Sequence, residues 1–162
     1  DISWRIILFG VEMSYVSQNI EQYNFGEEVD NVSRRYHDFM CVVIMSLICK
    51  RFSQGDKPYT ANELSDDGQI PIRLTNRLLD ELEEVGLIHG FSADAKSDIE
   101  HFVPAIDINQ LSVGRLLSTI ESEGCEDFKI DHSKEFSNQW EAFIGHKQEM
   151  YAKTNEILLK DL

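Results

Sequence analysis

Arg73 and Arg77 stand one helical turn apart in the run Pro71-Ile72-Arg73-Leu74-Thr75-Asn76-Arg77-Leu78-Leu79-Asp80. Guanidinium groups at that spacing can contact phosphate or read guanine edges. They can equally pair with Asp80 and Glu81 along the same helix, which makes an ordinary solvated face. The acids Asp80, Glu81, Glu83 and Glu84 weight the reading toward pairing. Lys96, between Asp94 and Asp98, is the third candidate nucleic-acid contact. His89 and His101 lie in two short apolar runs and can meet across a hairpin. Two imidazoles without a nearby carboxylate pair make at best an incomplete metal site. His132 and His146 read as surface groups, and His37 and Asp38 are adjacent on a helix and point apart. No phosphate-cradling Gly loop or Gly-flanked nucleophile is present. The residues therefore indicate no catalytic centre, no metal and no cofactor.

The elements that must carry these residues are legible in Tyr59 to Val103. Thr60 followed by Glu63 is the capping-box order that starts a helix. Gly68 and Pro71 punctuate a turn, and the spacing of Ile72, Leu74, Leu78, Leu79, Leu82 and Val85 predicts a second helix over Pro71–Val85. Gly86 is placed to end it. Leu87–Phe91 and Ile99–Val103 flank the polar loop Ser92–Asp98, the pattern of a two-stranded wing closed by Pro104. Helix, turn, helix and hairpin together predict a winged helix-turn-helix.

Long helices flank this module. One runs from about Glu27 to Phe52 with an apolar centre, Phe39–Cys49, which is too short to span a bilayer and suits a core. A helix opening near Asp107 and ending near Gly124 follows the wing, and Glu126–Ser133 is an acidic connector. The last helix, about Ser133–Leu159, carries Phe136, Trp140, Phe143, Ile144, Met150 and Tyr151 at three- and four-residue intervals. Trp140, Phe143 and Tyr151 are the candidate partner surface. The predicted fold is mostly α, with a small two-stranded β wing and long helices at both ends. Its expected divisions are 1–26, the helical and winged core at 27–125, and the connector with its helix at 126–162.

The chain of 162 residues has 29 acids against 15 Lys and Arg, a net charge of -14. Such a balance repels phosphate backbones and weighs against nucleic acid as a partner. It suits contact with protein, either a basic partner or a second copy. Cys41, Cys49 and Cys125 show no metal-type pairing, and the first two sit in an apolar run, so buried free thiols in a reducing compartment are expected. The chain begins without Met and is expected to be a fragment of something longer.

Ile2–Ile20 is apolar from Ile6 to Val11 and polar beyond, a poor spanning helix by itself and, from periodicity alone, an amphipathic one. Ser3-Trp4 followed by Ile6-Ile7-Leu8-Phe9-Gly10-Val11-Glu12 nevertheless resembles the end of the last transmembrane helix of YihY/BrkB-type inner-membrane proteins. Gln69-Ile70-Pro71 and Leu78–Ile88 resemble the winged-helix extension of the longer members. The winged portion also looks like transcription regulators. The resemblance implies a truncated membrane helix at 1–26, with Gly10 and Glu12 as functional groups of the missing part. It implies a location at the inner membrane, with this domain on the cytoplasmic side. The leading expectation is a non-catalytic interaction or regulatory domain of such a protein. The alternatives are a DNA-binding winged-helix transcription regulator or, following a label common in that family, a tRNA-processing ribonuclease ("ribonuclease BN"), for which no catalytic residues are present.

Overall fold

A computed structural model of the chain describes residues 31–124, 126, 128, 130, 131 and 133–162. The chain divides into two compact units, Asp1–His37 and Asp38–Leu162, and the helix Arg34–Gln54 begins at the end of the first. Gly10, Glu12 and the predicted helix start near Glu27 lie outside the described residues.

Helix α1 spans Arg34–Gln54, and the Ser33 hydroxyl accepts the Tyr36 amide at 3.2 Å ahead of it. Its buried residues, Met40, Cys41, Ile44, Met45, Ile48 and Cys49, recur at three- and four-residue steps and form one face. The apolar centre reads as buried all round, but Phe39 on its outer side is 56% exposed. Cys41 and Cys49 are buried free thiols, as their apolar setting implied, and burial pushes both up to about 12.

Strand β1 (Tyr59–Thr60) leads directly into α2 (Ala61–Gly68). The Thr60 hydroxyl accepts the Glu63 amide at 3.3 Å, so the capping signal forms as the sequence indicates. The left-handed residue that ends α2 is Gln69 (φ 53°) rather than Gly68, and Ile70 N–H closes the turn on the Ser65 carbonyl. Helix α3 (Ile72–Glu84) follows, burying Leu74, Thr75, Leu78, Leu79 and Leu82. Gly86, at φ 79°, stops it as expected, and the next residue, Leu87, returns its amide to the Leu82 carbonyl while its side chain is fully buried.

Strands β2 (Ile88–Ser92) and β3 (Glu100–Pro104) form the wing hairpin, with Gly90 opposite Phe102 and Phe91 opposite His101. The sheet has three strands in the order β1-β3-β2, because β1 pairs antiparallel with β3, Tyr59 opposite Phe102. The two-residue strand β1 is too short for its periodicity to show. Ile88, Phe102 and Tyr59 share one face of the sheet and are buried with the helices.

Helix α4 (Val113–Glu121) starts at Ser112, whose hydroxyl accepts the Arg115 amide at 3.1 Å. Helix α5 (Ser137–Thr154) packs on it, and the chain then doubles back. Val113 N–H bonds the Ile157 carbonyl, Leu159 N–H bonds the Leu111 carbonyl, and Leu159 is fully buried in a short 3-10 turn, Leu159–Asp161. The protein is thus mostly helical, a winged helix with a small three-stranded antiparallel sheet and long helices at both ends of the described chain.

A cationic clamp joins α1 to the module. Arg51 lies 3.4 Å over the Tyr59 ring and donates to Glu63 at 2.8 Å, while the Tyr59 hydroxyl donates to Asp67 at 2.7 Å. The Arg51 hydrogen bond holds the Glu63 carboxyl below its ordinary range. A carboxyl lowered by folding contributes stability that is present above its unfolded value and is lost as pH falls through its folded one. Glu63→Gln is therefore expected to lower the thermal midpoint at neutral pH and to converge on the wild type as pH drops below the carboxylate range. Curves that stay parallel down to acid pH would show that this ionisation is not coupled to folding.

Candidate nucleic-acid interface

The exposed face of α3 and the wing beside it hold the three cations singled out in the sequence. Arg73 and Arg77 are both exposed, on the side of α3 opposite its buried leucines. Helix α3 is held in this position because α2 and the capped turn deliver its first residues to the surface, while Leu74, Leu78 and Leu82 anchor the other face. Its N-terminal half is the part a helix-turn-helix presents to base edges.

Charge is unevenly divided along α3. The first two turns contain Arg73, Asn76 and Arg77 without an acid, and Asp80, Glu81, Glu83 and Glu84 occupy the rest. Glu83 is turned toward the wing, where its carboxylate accepts the Gly90 amide at 3.4 Å. The N-terminal end also carries the positive end of the helix dipole.

Lys96 is exposed near the tip of the wing loop. Its backbone amide donates to the Asp94 carboxylate at 3.2 Å, an Asx turn that uses this acid to shape the loop. Asp98 lies at the other end of the loop, in the wall of an open cleft of about 420 Å³ between α2, α3 and the wing. Asn62, Ile72, Asn76, Asp80 and Ile99 also line it. Asn76 and the cleft were not singled out in the sequence. The available signal was a neutral, planar hydrogen-bonding side chain three residues after Arg73, on the face left by the buried leucines.

The histidine pair does not assemble. The register sets His89 opposite Val103 and His101 opposite Phe91, so the imidazoles are displaced along the hairpin. His101 is buried, and its Nδ1 lies 3.1 Å from the Pro58 carbonyl oxygen, which requires the proton on that nitrogen. No group of three or more His, Cys, Asp or Glu residues among those described could hold a metal ion.

The aromatic residues of α5 divide between two directions. Tyr151 donates its hydroxyl to Glu121 of α4, beside Lys147, which reaches the same carboxylate at 2.8 Å. Trp140 and Phe143 form a tilted pair with ring centroids 6.3 Å apart, and Phe143 is 55% exposed. None of the 18 residues of α5 is buried.

Helix-turn-helix, capped turn and a wing hairpin within a three-stranded sheet define the class: a winged-helix module. No protein-family model and no curated protein matches the chain. Among solved structures it is similar to CymR, described as the global cysteine regulator of B. subtilis, with 12% identity over 80% of this chain and 93% of that one, at a TM-score of 0.54. It is similar to T. potens IscR, with 16% identity over 80% of this chain and 83% of that one, at a TM-score of 0.55. Staphylococcus aureus CymR gives 14% identity over 77% of this chain and 93% of its own, at a TM-score of 0.53. At these identities the likeness is one of fold.

These findings correct the expectations built on the inner-membrane resemblance. The similar solved structures, among them one described as a regulator, match most of the chain, whereas nothing found supports the YihY/BrkB family. The turn with Pro71 and the leucine spacing of α3 are demands of any winged helix, so they carried no information specific to that family. No helix among the described residues is long and apolar enough to cross a membrane. The inner-membrane location, the interaction-domain role within a membrane protein and the ribonuclease label all rested on the resemblance and fall with it. The expectation against nucleic acid is corrected as well. The net charge and the acids Asp80, Glu81, Glu83 and Glu84 argue against such a partner, whereas the chain shares its fold with CymR, described as a regulator, and the first two turns of α3 hold Arg73 and Arg77 without an acid.

Proposed function

We propose that this chain is a DNA-binding winged-helix transcription regulator of the Rrf2 type, the description that fits the proteins sharing its fold. One observation carries the reading: the first two turns of α3 expose Arg73, Asn76 and Arg77 beside a wing that displays Lys96. Arginine pairs with guanine edges or phosphate, and a winged helix sets this half of the helix against the major groove. The similarity to CymR and IscR over most of the chain supports the same reading.

Trp140 and Phe143 form a contact surface for a second copy of the chain in this proposal. A helix with no buried residue, a half-buried Trp140 and an exposed Phe143 lacks the burial that usually stabilises a helix of this length. Paired copies would place two reading helices on two half-sites, one or more helical turns apart.

Selection from a randomised duplex library at low salt, with tRNA as competitor, tests both parts. Enrichment of an inverted repeat with half-sites one turn apart is the expected result. Enrichment of a single half-site would remove the pairing, and no enrichment over the competitor would remove the DNA-binding reading.

A further inference from the structure

We infer that Asn76 is the base-discriminating residue of the reading helix and that it selects adenine; this rests on the DNA-binding reading above. Asn76 is exposed, lies one turn from Arg73 and forms part of the cleft wall between α3 and the wing. Its carboxamide presents a donor and an acceptor in one plane, the pattern that pairs bidentately with adenine N6 and N7. Its neighbours have other complements. Arg73 and Arg77 only donate and match guanine or phosphate, while Asp80, one turn further on, only accepts.

Charge makes this residue matter. Phosphate contacts position a protein on any sequence and carry no sequence information directly. Asn76 is neutral, so its replacement leaves the phosphate attraction unchanged and isolates base reading. The side chain is also outside the core, which keeps the test clear of folding.

The experiment compares wild type, Asn76→Ala and Asn76→Arg on the selected duplex and on variants substituted at each position, across a salt series. Asn76→Ala is expected to reduce the preference for adenine at one position per half-site by about tenfold to hundredfold. The slope of affinity against salt should not change, because no charge is removed. Asn76→Arg is expected to move the preference at that position toward guanine. Equal weakening on every sequence would make Asn76 a backbone contact and overturn the inference, as would an unchanged adenine preference. Absence of any duplex binding by the wild type would overturn this inference together with the DNA-binding reading, and that result is distinct from the other two.

Discussion

Replacing Arg73 and Arg77 together by alanine is expected to abolish specific duplex binding while leaving the fold in place. Each good bidentate base contact is worth about 1–3 kcal/mol, so removing both takes away a large share of any specific affinity. Both side chains are exposed on α3, and the leucines that hold the helix lie on its other face. Alanine is at least as good a helix former as arginine, so the helix itself should tolerate the change. The thermal midpoint should move little, as for most surface substitutions. The slope of affinity against salt separates the two roles an arginine can take on DNA. An arginine that neutralises a phosphate makes the slope shallower by about 0.9 when it is replaced, whereas one that reads a base relaxes sequence preference. A midpoint that falls in step with binding would mean that these arginines support the fold rather than read DNA.

The second large effect concerns Gly114. A Cβ there would collide with the Asn155 side-chain oxygen and lie 2.7 Å from the Tyr151 carbonyl oxygen and 2.9 Å from the Thr154 hydroxyl. Asn155 and Thr154 can turn aside, but the Tyr151 carbonyl is helix backbone and cannot. Gly114→Ala must therefore push α5 away from α4. Overpacking of this kind costs about 1–3 kcal/mol, and here it also strains the bonds that seat Leu159. Gly145 provides the control. It lies within α5 with nothing near its missing Cβ, so Gly145→Ala should stabilise by about 0.5–1 kcal/mol. The same substitution is thus expected to act with opposite signs at two glycines, read as thermal midpoints. A Gly114→Ala protein as stable as the wild type would show that α5 does not pack this closely. Leu159→Ala probes the same junction by emptying it, at about 2–5 kcal/mol.

The residues most readable in advance were those whose local chemistry does not depend on distant partners. Thr60 and Glu63 form a cap from four consecutive residues, and Gly86 ends α3 because its backbone is left-handed there. The leucine spacing of α3 reports its buried face directly. By contrast, β1 is two residues long and exists only because Phe102 and His101 offer it an edge. Whether His89 and His101 meet was left open for a related reason: pairing register decides whether two strand residues meet, and it is not written in either strand alone.

Function is harder to read because charge is mixed along the reading helix and the motifs belong to a fold rather than to one role. Net charge treats Arg73 and Glu84 as neighbours in one total, although they occupy opposite ends of α3. The pattern around Pro71 and Leu78–Ile88 is that of a winged helix, and it fits transcription regulators as well as the inner-membrane family it resembles. From sequence alone, the Thr60 cap, the stop at Gly86, the buried face of α3 and the wing loop were determined, because backbone sterics and side-chain spacing act over a few residues. Only the tertiary structure decided which short segment joined the sheet, that the histidines stay apart, how tightly α4 and α5 pack at Gly114, and which part of α3 faces outward beside the wing. Those outcomes depend on contacts between residues far apart in the chain, and short-range pattern carries no record of them.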